Sequence, residues 1–441
     1  MSKRTFSNHL SGEGDDERDE YAAVETSRPS QRARLDYSAS LAYPSTSQTI
    51  TKQTPFQQPT QILSFSFTPS RTLEFTDSAL RYFVEPPIGA KLSYGYDRWV
   101  RKPDGRGRID GLLQAFSKAK GMPNVALQDV GVVAWRGVMT RILTSPYEDR
   151  EGWELNVMSI NGTLYFEEHL SEARLKEKND MEPRHRQQTY YGYAFESYCT
   201  SETPKRTISP NASDPLGWGG DVDTNVQWCS VVRTKLGNTR LLIGGEVDCV
   251  RGNYTHQTDT FVELKTSLVI RGPPDEARFE KKLLKFYFQS FLLGVPEILV
   301  GFRTPSGIVT TTQSFKTIQI PRMVRGKPGA WDPLICLDWG NSFLTFLKDV
   351  VRREGSQDAS VWRVKFAPQE GVSIDMLDPS GVEDVRGSED RVGFLPTWYW
   401  DEIHAESTHR DPQPQTVENP AARGTPSAGA KLSAANAGWQ I

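Results

Sequence analysis

The chain has 441 residues, of which 37% are hydrophobic, and its formal net charge is −3. This length allows a large hydrophobic core, but the low apolar fraction predicts that part of the chain is disordered. The charge excludes a global attraction to nucleic acid, so any such contact would require a local basic groove.

Two further patterns exclude whole classes of protein. No apolar run approaches the roughly 18 to 20 residues of a membrane span, and acidic sequence follows the N-terminal Met1-Ser2-Lys3-Arg4 instead of an apolar signal core. The four cysteines show no CxxC spacing. We therefore expect an intracellular protein that binds no membrane and contains neither a zinc knuckle nor a disulfide framework.

Composition divides the chain into three parts. Residues 1–54 are rich in Ser, Arg, Glu, Gln and Thr, and residues 407–441 are rich in Pro, Ala, Gly, Ser and Thr, so both are predicted to be disordered tails. Residues 55–406 contain no obvious linker and are predicted to form a single domain. Within it, the Pro- and Gly-rich residues 201–220 are predicted to be an insertion or mobile loop.

Strands and helices are predicted to be mixed along this domain. In chain order they are a strand at 61–67, a helix at 107–120, an apolar segment at 130–143, a hairpin of 152–158 and 162–167, a helix at 186–198, strands at 225–235, 245–249 and 262–266, a helix at 276–293, a hairpin of 297–304 and 307–314, a helix at 338–353 and an aromatic strand at 394–400. This order predicts an α/β fold in which largely antiparallel sheets, flanked by helices, supply the functional site.

The strands at 245–249 and 262–266 combine acidic residues with one lysine. Because side chains alternate between the faces of a strand, Glu246 and Asp248 should share one face, and Glu263 and Lys265 should share one face of the next strand. The polar residues 251–260 between them predict a loop that joins antiparallel neighbours. If the strands pair, three carboxylates and one ammonium group meet on one surface, with apolar residues behind them.

Two interpretations of this surface are open. Alternating acidic and aliphatic residues are typical of any half-exposed strand with a solvated face. Three carboxylates on adjacent strands favour a divalent metal site instead, because hard oxygen ligands suit Mg²⁺ or Mn²⁺. For the two strands together the metal site is favoured, and a lysine beside the metal suits the phosphoryl chemistry of nucleases.

Four other candidate site residues each allow two interpretations. Glu196 lies one helical turn after Gly192, so it is either a fourth carboxylate of the site or a surface glutamate. Arg136 stands in an apolar run and requires an anion, either a protein carboxylate or a substrate phosphate. Gln289 ends a stripe with Lys281 and Lys285 that suits either a phosphate backbone or solvent. Cys229 is read as a small core residue rather than as a nucleophile.

An acid followed one strand later by Glu-x-Lys resembles the PD-(D/E)XK nuclease core. The wider set of motifs resembles the DXO family of decapping nucleases, in its order and approximate spacing. These motifs are Trp135-Arg136-Gly137, Gly192-Tyr193-Ala194-Phe195-Glu196, Glu246-Val247-Asp248, Glu263-Leu264-Lys265 and Lys285-Phe286-Tyr287-Phe288-Gln289-Ser290. The resemblance runs from about residue 60 to 401 and is closest to the fungal nuclear member, which partners a 5′→3′ exoribonuclease.

The resemblance implies roles for particular side chains. It assigns two divalent ions, Mg²⁺ or Mn²⁺, to Glu196, Glu246, Asp248 and Glu263 and to the carbonyl of Leu264. It places Lys265 and Gln289, which with the four acids form the catalytic set, at the scissile phosphate and its attacking water. It assigns substrate binding to Trp135, Arg136, Gly137, Cys229, Glu246, Lys265 and Gln289.

The function implied by the resemblance is metal-dependent hydrolysis at RNA 5′ ends. Such an enzyme would remove incomplete, unmethylated or NAD caps, or pyrophosphate from 5′-triphosphate RNA, and leave a 5′-monophosphate. The resemblance also implies a nuclear location and support of a nuclear 5′→3′ exoribonuclease in RNA quality control. Two alternatives remain, a DNA endonuclease or repair nuclease with the same core, and a mainly non-catalytic subunit that activates an exonuclease.

Overall fold

The fold is that of a computed structural model and is described for residues 38–46, 52–123, 125, 127, 129–206, 213–354 and 359–408. The strands are β1 (Ser38–Ala42), β2 (Phe56–Phe67), β3 (Leu73–Glu74), β4 (Tyr82–Phe83), β5 (Val130–Trp135), β6 (Trp153–Ile160), β7 (Thr163–His169), β8 (Thr200–Ser201), β9 (Gln227–Leu236), β10 (Thr239–Glu246), β11 (Cys249–Val250), β12 (Phe261–Leu268), β13 (Glu297–Arg303), β14 (Val309–Lys316), β15 (Trp362–Ala367), β16 (Gly371–Met376), β17 (Arg391–Val392) and β18 (Leu395–Pro396). The helices are α1 (Asp110–Lys120), α2 (Arg136–Thr144), α3 (Glu172–Asn179), α4 (Pro183–Cys199), α5 (Pro273–Leu293), α6 (Ile320–Val324), α7 (Pro333–Glu354), α8 (Pro379–Arg386) and α9 (Thr397–Thr408).

Two large mixed sheets carry the helices. One has ten strands in the order β1-β16-β15-β6-β7-β5-β10-β9-β2-β3, and the other has six in the order β14-β13-β12-β11-β4-β8. Most neighbouring strands are antiparallel, whereas β5 runs parallel to both β7 and β10, β12 runs parallel to β13, and β4 runs parallel to β11. The predicted α/β class with largely antiparallel sheets is confirmed.

Each sheet is buried on both faces, because its apolar residues alternate between two separate cores. Along β5, Val132 and Ala134 join the core that contains α2, α5 and α7, while Val133 joins the core that contains α1 and α9. In the six-stranded sheet, Phe261 faces the first of these cores and Leu264 faces α4. The helices α2 and α5 therefore lie between the two sheets, next to the ends of β10 and β12.

The chain passes from one sheet to the other between β10 and β11. Strand β10 ends at Glu246 in the ten-stranded sheet, and β11 begins at Cys249 in the six-stranded sheet. The prediction that 245–249 is one strand paired with 262–266 is wrong in this respect, since only Cys249 and Val250 pair with β12. The reason is that alternation cannot distinguish a continuous strand from two strands that meet at a break.

Most of the other predicted elements are confirmed. The hairpins β6–β7 and β13–β14 and the helices α1, α4, α5 and α7 lie where the apolar spacing placed them. The predicted aromatic strand at 394–400 is wrong beyond Pro396, because α9 begins at Thr397. The buried residues Tyr399 and Ile403 of α9 are four positions apart, which is the spacing of a helix face.

The N-terminal boundary also differs from the predicted one. Residues 38–42 form β1, which pairs antiparallel with β16 at the edge of the ten-stranded sheet. The prediction of a disordered tail is therefore wrong for this segment, whose short alternating sequence was hidden in polar surroundings. The remainder of the two predicted tails lies largely outside the described residues. None of the helices in the described part is long and apolar enough to cross a membrane.

Candidate active site

The break between the two sheets places two acids beside the start of α2. Glu246 ends β10, and Asp248 follows in the short link to β11, where the N–H of Val247 donates to the carbonyl of Trp228. Strand β5 runs beside β10 and ends at Trp135, so Arg136 at the start of α2 comes close to Gly245. A Cβ on Gly245 would stand 2.9 Å from the Cβ of Arg136, and glycine removes this obstacle.

Glu263 is fully buried on β12 and is paired with two cations. Its Oε2 accepts a hydrogen bond from Nη1 of Arg136 at 2.8 Å, and its Oε1 accepts one from Nζ of Lys265. Burial alone would raise the pKa of Glu263, but Arg136 and Lys265 outweigh it and hold that pKa well below its ordinary value. Arg136 therefore has a protein carboxylate as its anion here, the first of its two predicted partners.

Glu246 and Asp248 each accept a hydrogen bond from the protein. Oε2 of Glu246 accepts from Nε2 of Gln227 at 2.7 Å, and Oδ2 of Asp248 accepts from the N–H of Leu264 at 2.6 Å. Burial raises the pKa of both groups, and the negative charge of Glu263 raises them further. A carboxylate whose pKa is raised in this way gains most from a nearby cation.

Glu196 lies on α4, on the side of the six-stranded sheet opposite α2. Burial raises its pKa well above the ordinary value, and the charges of Asp248, Glu246 and Glu263 raise it further, so it belongs to the same electrostatic group. The helix is held against the sheet by Phe195, whose ring occupies the space that a side chain on Gly301 would need. The structure thus places Glu196 in the wall of the same pocket as Glu246 and Asp248.

The donor set fits a divalent cation in its chemistry. Four carboxylates, three of them with raised pKa values, are hard oxygen ligands with too few protein cations to balance them. Among the described residues, however, no three acidic, histidine or cysteine side chains form a closed metal-binding group. The side-chain positions do not provide a finished cage, and the shared metal site stays a prediction that rests on donor chemistry.

A deep pocket of about 1580 Å³ opens in front of these acids. Glu196, Glu246 and Asp248 form part of its wall. Four residues to which substrate binding was assigned line it, namely Glu246 together with Trp135, Gly137 and Cys229. Cys229 is buried, and burial raises the pKa of its thiol, which agrees with its reading as a packing residue rather than a nucleophile. Arg136, Glu263, Leu264, Lys265 and Gln289 do not line this pocket.

Gln289 is the predicted site residue with the least defined role. It lies on α5, which packs against α2 and β10, and it is half-buried. Lys285, one turn earlier on the same helix, is exposed, and Lys281 pairs with Asp149 at 3.6 Å. The two lysines of the predicted stripe therefore face solvent, and only the amide of Gln289 is partly buried. Of the two interpretations of the stripe, this favours a solvated face.

Several pocket residues were not predicted from the sequence. Arg71 and Lys102 line the pocket, and both lie close enough to Cys229 for their charges to act on its thiol. Gln227 lines it as well and connects Arg71 to Glu246. Arg71 is a turn residue with positive φ, and Lys102 lies in a loop, so neither belongs to a periodic pattern that could have marked it.

The chain is similar to proteins of one family along most of its length. The family model described as RAI1 like PD-(D/E)XK nuclease matches residues 57–400. The decapping nuclease RAI1 of Mycosarcoma maydis is 35% identical over 442 residues, which cover 78% of this chain and 87% of that protein. The decapping and exoribonuclease protein of Xenopus laevis is 35% identical over 369 residues, covering 79% of this chain and 87% of that protein.

Two solved structures share the fold. S. pombe Rai1 in complex with 3′-FADP matches with a TM-score of 0.63 at 25% identity, covering 78% of this chain and 100% of that one. Candida albicans Rai1 in complex with pU5-Mn²⁺ matches with a TM-score of 0.71 at 24% identity, covering 84% of this chain and 99% of that one. The two mixed sheets described above are therefore an arrangement that solved structures also contain.

Proposed function

The chain belongs to the RAI1-like PD-(D/E)XK nuclease family, and on this premise we propose that it is a metal-dependent hydrolase of RNA 5′ ends. The resemblance predicted from its motifs is confirmed at the level of the family. The observation that carries the proposal is a group of four carboxylates: Glu196, Glu246 and Asp248 line a large pocket, and the buried Glu263 is paired with Arg136 and Lys265. Its reactions would leave a 5′-monophosphate end.

We assign the binding of divalent cations to Glu196, Glu246, Asp248 and Glu263, with the carbonyl of Leu264 as a further oxygen ligand. Two ions, either Mg²⁺ or Mn²⁺, would balance the negative charge of this set. When bound, such ions activate water as a nucleophile and stabilise the attacking and leaving oxygens of a displacement at phosphorus. The raised pKa values of Glu196, Glu246 and Asp248 support this assignment, because the acids lack sufficient compensation from protein cations.

Lys265 and Arg136 supply the positive charge of the chain itself. Their hydrogen bonds to opposite oxygens of Glu263 fix both cations beside the acids. We propose that Lys265 stabilises negative charge that builds up on the scissile phosphate, which is the role of a preorganised charge in a partly buried site. Nη1 of Arg136 is engaged by Glu263, so a substrate phosphate would bind to its other N–H groups. The amide of Gln289 would help to position the phosphate or its attacking water.

The pocket in front of the acids has a lining that suits an RNA 5′ end. Its volume of about 1580 Å³ exceeds the roughly 300 to 1,000 Å³ of most small-molecule sites, which leaves room for more than one nucleotide. The half-buried rings of Tyr193 and Tyr254 offer faces for base stacking, and Arg71 and Lys102 offer charges for phosphates. Trp135, Gly137 and Cys229 lie in the same wall.

We propose incomplete, unmethylated and NAD caps, together with 5′-triphosphates, as substrates. The S. pombe relative was solved with 3′-FADP, which, like NAD, consists of two halves joined through phosphates. Removal of a whole cap as a dinucleotide requires cleavage of the phosphodiester on its RNA side. Release of pyrophosphate from a 5′-triphosphate instead breaks the anhydride bond between the α and β phosphates. Both reactions are attacks of water at phosphorus that leave a 5′-monophosphate, so one set of acids would serve both.

The catalytic proposal is tested with purified full-length protein, Mn²⁺ and three substrates, 5′-triphosphate RNA, NAD-capped RNA and duplex DNA. The matched control combines Glu246→Ala with Asp248→Ala, which removes two acids and leaves the Glu263 ion pairs intact. We expect the wild type to release pyrophosphate and intact NAD from the RNAs far faster than this control. Cleavage of duplex DNA alone would support a DNA nuclease, and equal rates for wild type and control would refute the catalytic assignment.

We also propose that the protein is nuclear and supports a nuclear 5′→3′ exoribonuclease, which would degrade the 5′-monophosphate RNA that it produces. This proposal rests on the resemblance to the fungal nuclear member of the family. The test is to tag the chain in its own cells, locate it and identify the nuclease that co-purifies with it. An even distribution through the cytoplasm with no exoribonuclease recovered would refute it.

A further inference from the structure

Gln227 bridges a cation and an acid at the wall of the pocket. Its Oε1 accepts a hydrogen bond from Nη1 of Arg71 at 2.6 Å, and its Nε2 donates to Oε2 of Glu246 at 2.7 Å. The same Nη1 of Arg71 also donates to the backbone carbonyl of Asn225 at 2.9 Å. The amide thus connects one of the proposed metal ligands to a guanidinium that is itself held by the backbone.

The strand register explains why Gln227 can reach this acid. In the antiparallel pair β9–β10, Glu246 lies opposite Cys229, and Gln227 is two residues before Cys229 on the same face. Diagonal neighbours of this kind have Cα atoms roughly 7 to 8 Å apart, which long side chains can bridge. The contact is therefore a consequence of the sheet and does not depend on a flexible loop.

The other end of the bridge is also fixed. Arg71 has a positive φ of 62° in the turn between β2 and β3, and its guanidinium lies over the ring of Phe67 at 3.8 Å from the centroid. Stacking and two hydrogen bonds on one nitrogen leave this side chain little freedom. The amide of Gln227 consequently links the Glu246 carboxylate to a guanidinium, that of Arg71, which is itself fixed.

The chemistry of the bridge requires an amide. The guanidinium end needs an acceptor and the carboxylate end needs a donor, and neutral glutamine supplies both. A methionine of similar length supplies no donor and only a weak acceptor. An ionised glutamate could accept from Arg71, but it would place a second negative charge against Glu246.

We propose that Gln227 is a positioning residue that fixes the Glu246 carboxylate for a divalent, oxygen-coordinated cation. Its hydrogen bond engages Oε2 and restricts rotation of the carboxylate, so the remaining oxygen is oriented before the cation arrives. Partners of this kind typically change metal affinity or activity by roughly 10- to 100-fold when they are removed. The proposal rests on the proposed function only in taking Glu246 to be a metal ligand.

The test is calorimetric titration of Mn²⁺ alone into the full-length protein, with wild type and Gln227→Met compared. We expect Gln227→Met to bind Mn²⁺ about tenfold more weakly. The matched control is Gln313→Met, which removes an exposed strand glutamine outside the pocket and should bind Mn²⁺ as the wild type does. Thermal unfolding in chelator should give nearly the same melting temperature for all three proteins.

Two outcomes would overturn the proposal. One is an unchanged Mn²⁺ affinity in Gln227→Met, and the other is a weaker affinity accompanied by an equally large loss of stability in chelator, which would indicate a merely structural role. Turnover of 5′-triphosphate RNA is measured separately. A wild type that binds Mn²⁺ tightly and a Gln227→Met that binds it weakly would uphold the positioning role even if neither protein hydrolyses RNA, which would refute only the proposed function.

Discussion

The ion pair between Arg136 and Glu263 provides the sharpest prediction about stability. Glu263 is fully buried and Arg136 is only 14% exposed, so neither charge is well solvated. We consider Arg136→Met, which keeps an apolar stem beside Gly245 and removes the guanidinium. The variant leaves Glu263 with Lys265 as its remaining charged partner.

The size of the effect follows from burial. Removal of one partner of a buried ion pair typically costs about 3 to 5 kcal/mol, because the remaining charge is left uncompensated. Since Lys265 still compensates Glu263 in part, we expect the lower end, about 3 kcal/mol. An unfolding entropy of about 2.1 cal/mol/K per residue, applied to the predicted domain of residues 55–406, converts this loss into a melting temperature lower by about 4 °C.

The effect should also depend on pH, with a definite sign. The pKa of Glu263 is lowered in the folded protein, so its ion pairs add stability above the unfolded pKa of about 4.3. That stability is lost as the pH falls from this value towards the lower folded pKa. The difference in free energy of unfolding between wild type and Arg136→Met should therefore have its full size between pH 6 and 8 and shrink below pH 4.

The measurement is denaturant unfolding in chelator, so that metal binding does not contribute to the free energy. The double variant Arg136→Met with Glu263→Gln completes the cycle, and we expect it to regain part of the loss because it no longer buries a poorly compensated carboxylate. A loss below about 0.5 kcal/mol in the single variant, or a difference that grows as the pH falls below 4, would refute this reasoning.

Three further predictions concern the metal, a buried acid and a glycine. Mn²⁺ at about 100 times its Kd should raise the free energy of unfolding of the wild type by about 2.7 kcal/mol, and thermal shift should show no such gain in Glu246→Ala with Asp248→Ala. Burial raises the pKa of Glu167 to about 7 although Arg108 pairs with it at 2.9 Å, so the wild type loses stability as the pH rises from about 4.3 to about 7. Glu167→Gln also loses the ion pair, but the difference in free energy of unfolding between the two proteins should shift towards the variant over that window by up to about 3 kcal/mol. Gly301→Ala should collide with the ring of Phe195 and cost about 1 to 3 kcal/mol, and unchanged stability would contradict that close contact.

Two acids of the site, Glu246 and Glu263, were predictable from the sequence because they lie in short alternating strands. Glu263 and Lys265 do share a face of β12, as alternation required, and Leu264 faces the opposite core. Alternation could not reveal that Glu246 and Glu263 belong to different sheets, because strand partners depend on contacts far apart in sequence. The site is consequently a junction of two sheets and not one continuous surface.

The contacts that surround the acids could not be predicted for a related reason. Arg71 and Gln227 are 156 residues apart and meet only because β2 and β9 are neighbours in the folded sheet. The error at 394–400 has a local cause, since a short aromatic run fits both a period of two and a period of four. In the structure Tyr399 is buried on α9, and the burial of this residue could not be known from the sequence.

The most direct test of the account is the product formed from 5′-triphosphate RNA labelled at its γ-phosphate. With full-length protein and Mn²⁺, we predict labelled pyrophosphate and an initial RNA product of unchanged length with a 5′-monophosphate end. The variant Glu246→Ala with Asp248→Ala should release neither above background. Labelled inorganic phosphate in place of pyrophosphate, or equal release by the variant, would contradict hydrolysis of RNA 5′ ends by this group of carboxylates.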